Sequence, residues 1–222
     1  MSFNLTAPPG FRGFDESGPL TIYTRLLPHW RQPGATYFVT FHLADSIPEG
    51  KRRELVALKE EWERRCPRPD DAQRAEHDRA VFQKIETWLD DGSGACWFRD
   101  SHFSGELHRS LLHFHDKRYD VGCFTIMANH CHLVMRPFAG VSLEKEVGMI
   151  KQVVARFINR RRGVEEVLWH EESYDRIIRD EEHLYRVVQY IGSNPRHAGV
   201  PPEQWLRWIN PCWLTHGWNF ID

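Results

Sequence analysis

The sequence predicts an α+β fold: an antiparallel sheet with helices packed on it, close to the ferredoxin-like pattern, elaborated by a helical insertion and a C-terminal tail. Three observations carry that expectation. Residues 36–43 (TYFVTFHL), 119–127 (YDVGCFTIM) and 130–136 (HCHLVMR) are dense in β-branched and aromatic side chains and read as strands. Between and after them, apolar residues recur at three- and four-residue steps, the mark of amphipathic helices. The resulting order (strand, helices, strand, strand, helix, short strand, helix) suits a sheet that carries helices on one face. At 222 residues the chain is long enough for one sizeable core, and residues 1–222 are expected to form a single domain.

Residues 1–35 are rich in Gly and Pro and read as an irregular arm. After the first strand, residues 46–65 open on a polar turn and then set Leu55, Val56, Leu58 and Trp62 among charges, as a helix does. Pro67 and Pro69 break it. Further helices are expected over 71–89 and 104–115, so that 49–118 becomes a helical insertion. Asp90-Asp91-Gly92-Ser93-Gly94 marks a loop before a short apolar piece, 95–98. The strands 119–127 and 130–136 lie close enough to pair as a hairpin, with Asn129 at the turn and Pro137 ending the second. Ser142 opens a helix with a partial cap, since Lys145 stands where a capping box wants Glu. That helix runs to Arg162 with Val147, Ile150, Val154, Phe157 and Ile158 on one face. Residues 167–169 are a short strand candidate. Residues 180–193 form the last helix, whose acidic first turn suits the helix dipole. The tail, 201–222, holds Trp205, Trp208, Trp213 and Trp218 and is expected to pack on the body.

Composition excludes several classes. No apolar run approaches the roughly 18 residues that span a bilayer, and no charged-then-apolar leader opens the chain, so a cytoplasmic protein with no membrane partner is expected. Cys66, Cys96, Cys123, Cys131 and Cys212 are odd in number and show no C-x-x-C pairing, against a disulfide framework or a zinc knuckle. A net charge of −2 argues against general coating of nucleic acid. Locally the picture differs: residues 151–162 carry Lys151, Arg156, Arg160, Arg161 and Arg162 with no acidic residue, and 165–182 carry eight acidic residues against Arg176 and Arg179. Such a basic helix can hold a polyanion, or it can be a solvated face.

Two histidines one residue apart, His130 and His132, stand inside the apolar run 127–135. On a strand they project from the same face about 6.5 Å apart, while Cys131 and Leu133 turn to the other. Two imidazoles so placed either ligate a metal with positions left open for substrate, or face water at a sheet edge. In the last helix Leu184, Val187, Val188 and Ile191 share the core face, and Tyr190 and Asn194, four apart, are neighbours on a flanking face. A phenol with a pKa near 10 needs a nearby cation or base to act as a nucleophile. Tyr190 can equally be an amphipathic residue at the core's edge.

The run MANHCHLVM resembles the His-hydrophobic-His motif of the single-tyrosine HUH transposases. Residues 169–200 (WHEESYDRIIRDEEHLYRVVQYIGSNPRHAGV) look like the signature of their REP-associated tyrosine transposase branch, and residues 27–48 look like its first-strand region. Together with the basic helix between them, these stretches take in the first-strand region, the metal strand and the tyrosine helix, and their order is more specific than any one of them. The resemblance implies a ferredoxin-like catalytic core. It implies His130 and His132 as the metal pair, Asn194 as a further polar ligand, Tyr190 as the nucleophile, and Mg²⁺ or Mn²⁺ as the metal. The implied activity is that of a DNA nickase and strand transferase: Tyr190 attacks a phosphodiester of single-stranded DNA, forms a 5′-phosphotyrosyl link and releases a 3′-hydroxyl. The implied substrate is palindromic, hairpin-forming repeat DNA, taken by a monomer or homodimer. Lys151, Arg156, Arg160, Arg161 and Arg162 are the candidates for phosphate contacts, and Trp30, Arg31 or the tail tryptophans for stacking on unpaired bases.

Two details strain that reading. Pro195 is expected to push Asn194 out of helical geometry, and the insertion 49–118 has no derivable role. Tyr174, placed in a polar loop, and Tyr185, roughly 140° round the helix from Tyr190, are alternative nucleophiles. A histidine-triad hydrolase would need a third alternating histidine where Val134 stands, and an H-x-H-x-D-H metallo-hydrolase would need a carboxylate and an imidazole that do not follow Leu133. The rival from another class is a domesticated regulatory protein that binds hairpin DNA without cutting.

Overall fold

A computed structural model describes residues 4–25 and 28–221, among which there are seven strands and six α-helices. The strands are β1 (Thr21–Thr24), β2 (Pro28–Arg31), β3 (Tyr37–His42), β4 (Tyr119–Ile126), β5 (His130–Pro137), β6 (Tyr174–Ile177) and β7 (Leu206–Ile209). The helices are α1 (Glu49–Arg65), α2 (Asp71–Asp90), α3 (Ser101–Leu112), α4 (Leu143–Arg162), α5 (Glu181–His197) and the short α6 (Pro211–Leu214). β1 and β2 form a hairpin of their own, and the other five strands build one antiparallel sheet in the order β6-β3-β5-β4-β7. Without β7, the remaining four strands and their crossovers follow the split β-α-β pattern of the ferredoxin-like fold.

The two faces of the sheet bury different partners. Val39, Phe41, Phe124, Ile126, Cys131 and Leu133 meet Leu107 and Leu111 of α3 and Val147, Ile150, Val154 and Ile158 of α4. Phe38, Cys123 and Val134 meet Leu184, Val187, Val188 and Ile191 of α5, together with Trp213 and Trp218 from the tail. Helices therefore cover both faces: the one-face expectation holds for α3 and α4, and α5 lies opposite them. A bulge at Gly122 decides which β4 residues face which side. Tyr119 and Val121 point to the α3–α4 core before it, and Phe124 and Ile126 do so after it. That change of parity turns Thr125 toward α5, where its hydroxyl donates to the Ile191 carbonyl at 2.8 Å.

Several expected elements take a different form. The arm, whose residues 1–3 and 26–27 lie outside the described residues, contains the β1–β2 hairpin. It is fastened to β6 by buried His29, which bonds Asp175 and Glu172 at 2.7 and 3.1 Å. The short strand candidate at 167–169 is reduced to one bridge, Leu43 with Trp169, and the sheet's fourth core strand is β6, a four-residue piece with two charged members. Tyr174 accordingly sits on this strand, not in a loop, and stacks on Phe82 with ring centroids 4.2 Å apart. The insertion divides: α3 is the first crossover of the core, whereas α1 and α2 share a separate apolar cluster of Ile47, Leu55, Val81, Ile85, Trp88 and Leu89.

Helix α5 continues through Pro195 to His197, so Asn194 keeps its place one turn beyond Tyr190. Proline at 195 lacks the N–H that would bond the carbonyl of residue 191. Here that carbonyl takes the Thr125 hydroxyl instead, which removes the main cost of the interruption. The tail packs on the body as expected and also extends the sheet, β7 pairing with β4. Trp213 lies over Gly122 and Phe220 over Gly192, positions where a Cβ would meet the ring at 2.1 and 2.5 Å.

Candidate active site

β5 places His130 and His132 on the α5 face, 1% and 0% exposed, between His42 and Thr40 of β3 on one side and Thr125 of β4 on the other. Their Nε2 atoms lie 3.1 Å apart. Each Nδ1 is held from behind: His130 by the Asn129 side-chain oxygen at 2.8 Å, His132 by the Thr40 hydroxyl at 2.8 Å. Buried imidazoles with both rear nitrogens anchored and both front nitrogens converging are not edge residues facing water.

Asp180 caps α5 by accepting from the His183 N–H, and the amphipathic spacing already noted buries Leu184, Val187, Val188 and Ile191 on the sheet. That fixes Tyr190 over the histidines, with its ring 5.3 Å from the His132 ring and packed against Phe38 and Phe82. Asn194, 2% exposed, abuts both His130 and Tyr190. The four residues singled out from the sequence, His130, His132, Tyr190 and Asn194, are thus brought to one place. Tyr185 packs instead on Trp218.

Sequence reasoning missed the acid in this site. Glu86 and Asp90 reach in from α2: the Tyr190 hydroxyl donates to Glu86, whose same oxygen lies 3.2 Å from His132 Nε2, and the Asn194 amide nitrogen lies 3.5 Å from Asp90. One signal was present. Glu86 and Asp90 stand four apart among Ile85, Trp88 and Leu89, so an apolar helix face carries two carboxylates at the same step as Tyr190 and Asn194.

Burial and the Glu86 charge push the Tyr190 phenol far above its ordinary pKa. Asp90 is raised to about 6, by burial first and then by Glu86. His130 is held well below its usual value by burial and by its histidine neighbours. Two oxygens, Oε1 of Glu86 and Oδ1 of Asn194, are buried without a hydrogen-bond partner. Orphaned acceptors beside a buried carboxylate and two imidazoles form a donor set that a divalent cation would satisfy. Glu86, His130 and His132 offer ligand atoms all within 4.8 Å of one another, a mixed imidazole–carboxylate set that could hold a divalent metal ion.

The basic residues are not part of this cluster. α4 lies on the other face of the sheet. Lys151 donates to the carbonyls of His170 and Glu171, and burial lowers its pKa to about 8. Arg162 lies over the Trp97 ring and pairs with Glu166. Arg156, Arg160 and Arg161 are exposed. Trp30 is exposed on the β1–β2 hairpin, whereas Arg31 is bound to Asp175 and Glu144. Trp213 and Trp218 are core residues, and Trp208 stacks on Phe124.

Among the described residues no helix is long and apolar enough to cross a membrane. No protein-family model and no curated protein matches the chain. A solved structure described as "Structure of the REP associates tyrosine transposase bound to a REP hairpin" aligns with 75% of this chain and 70% of that one, at 14% identity and a TM-score of 0.43. A likeness of that size bears on neither the chemistry nor the partner, which rest on the side chains above.

Proposed function

We propose that the chain is a divalent-metal-dependent nickase and strand transferase of single-stranded DNA, with Tyr190 as nucleophile and palindromic, hairpin-forming repeats as substrate. The observation that carries this reading is the single contact point of Tyr190, Glu86, His132 and His130, buried and with acceptor oxygens to spare. His130, His132 and Glu86 would hold Mg²⁺ or Mn²⁺, with Asn194 beside them. When bound, the cation supplies Lewis-acid polarisation of the phosphate and reverses the local charge that opposes a phenolate.

The tyrosine hydroxyl proton has a ready acceptor in Glu86. The Tyr190 oxygen then forms a bond to phosphorus as the bond to the 3′-oxygen breaks. The 3′-oxygen takes up a proton from solvent, and the 5′-phosphotyrosyl diester conserves the bond for later transfer to another 3′-end. Exposed Arg156, Arg160 and Arg161 are available for backbone phosphates away from the reacting centre.

One observation favours a second reading, a hairpin-DNA-binding regulator that does not cut: the Tyr190 hydroxyl is already engaged by Glu86 and is strongly disfavoured as phenolate. Incubation with single-stranded hairpin DNA from repeats flanking the gene, with Mn²⁺, separates the two on a denaturing gel. A covalent adduct is expected with the wild type, and none with Tyr190→Phe, His130→Ala or excess EDTA. An adduct that persists in Tyr190→Phe overturns the assignment of the nucleophile. Binding without an adduct under every metal condition establishes the regulator.

A further inference from the structure

Asn129 closes the β4–β5 turn at 1% exposure, and every polar atom of its side chain has a partner. Its amide nitrogen donates to two backbone carbonyls, those of Leu89 at 3.2 Å and Ser93 at 3.1 Å, and its oxygen faces His130 Nδ1 at 2.8 Å. Carbonyl oxygens can only accept, so the amide has one workable orientation, with nitrogen toward residues 89 and 93 and oxygen toward the imidazole. An amide oxygen also can only accept. His130 Nδ1 must therefore carry a hydrogen, and in a neutral imidazole the lone pair is left on Nε2. His132 is not constrained from behind, because the Thr40 hydroxyl can donate or accept, and in the metal-free protein its Nε2, 3.1 Å from the His130 lone pair, carries the hydrogen of that contact.

We infer that Asn129 is a positioning residue that fixes His130 in its Nδ1–H tautomer and aims the Nε2 lone pair at the point shared by His132 and Glu86. The inference rests on the metal-site reading above and extends it to a residue that touches neither metal nor substrate. It also gives the loop after α2 a part in the site. Leu89 is in the last turn of α2 and Ser93 in the loop that follows, so one of the two carbonyls that orient Asn129 belongs to the helix that delivers Glu86 and Asp90 and the other to the loop leaving it. The strand that carries the imidazoles and the helix that carries the carboxylates are joined through one amide.

The test reads the tautomer directly and needs no DNA, so failure of the strand-transfer reading leaves it intact. In metal-free protein labelled with ¹⁵N-histidine, long-range proton–nitrogen correlations should report His130 with hydrogen on Nδ1. A wild-type His130 protonated on Nε2 instead overturns the inference without any variant. Asn129→Ala should release His130 into a mixture of tautomers and weaken Mn²⁺ binding, measured calorimetrically, by about 10–100-fold. Unchanged tautomer and unchanged Mn²⁺ affinity in that variant overturn the inference. If Asn129→Ala fails to fold, Asn129→Asp decides, since its carboxylate still accepts from Nδ1–H while losing both donors to residues 89 and 93. Retention of the tautomer with Mn²⁺ affinity at or above the wild-type value supports the inference. Retention of the tautomer with a loss of tenfold or more means that fastening the loop, not setting the tautomer, is what Asn129 does.

Discussion

Tyr190 donates to Glu86 one helical turn from the place where Asn194 meets Asp90, and each pair is 104 residues apart in sequence. The equal offset means that α2 and α5 meet in register and run in the same direction. Two four-residue steps, one on each helix, set a phenol and an amide against two carboxylates above the histidine pair.

Glu86→Gln keeps a hydrogen-bond acceptor for Tyr190 but removes the buried charge. Mn²⁺ affinity should fall at least tenfold in calorimetry. The metal-free variant should melt no lower than the wild type, because a buried carboxylate is expensive to desolvate. Undiminished Mn²⁺ binding would remove Glu86 from the ligand set.

Thr125→Val leaves the Ile191 carbonyl without its partner and should cost about 1–3 kcal/mol in urea unfolding. Pro195→Ala supplies an N–H at the position that bonds residue 191 in an uninterrupted helix. Added to Thr125→Val, it should recover part of the loss, a coupling that a double-mutant cycle measures. Strict additivity would show that Thr125 is not what accommodates the proline.

His29 gives a pH signature. Burial pulls its pKa down, but hydrogen bonds to Asp175 and Glu172 outweigh this and raise it to about 9. A value above the ordinary 6.5 means that the protonated ring stabilises the fold. Its contribution is fully present below about 6.5 and is lost as pH rises through about 9. The stability difference between wild type and His29→Gln should therefore shrink steadily across that window, and a difference independent of pH contradicts the pairing.

Gly192→Ala should improve helix propensity by about 1 kcal/mol yet destabilise the protein overall, because the new methyl meets Phe220 at 2.5 Å. Phe220→Leu in the same chain should restore stability by opening that space. If Gly192→Ala alone stabilises, the tail is not seated on α5 as described.

Much of this was legible because it is local. His130 with His132, and Tyr190 with Asn194, are short-range patterns whose faces follow from the strand and helix periods. The features that local pattern does not carry depend on distant partners. β6 has four residues and carries Asp175 and Arg176, so it has no run of strand formers and exists because β3 offers an edge. Pro195 looks like a terminator until Thr125 is brought across from another element to bond Ile191. Glu86 lies in an insertion whose helical pattern explains Ile85 and Leu89 but not an acid between them, and only the docking of α2 on α5 gives that acid its partners.

α2 closes over the histidine pair, and α1 and α2 carry an apolar cluster apart from the sheet. His132 is fully buried, so a polymer reaches this centre only in molecules whose α2 has opened, and Glu86 acts as proposed only once α2 has closed again on the bound strand. The affinity measured for any nucleic acid at this centre is then the affinity of the open form scaled by the fraction of molecules that are open. A substitution on α2 that touches no ligand can change apparent binding by changing that population alone.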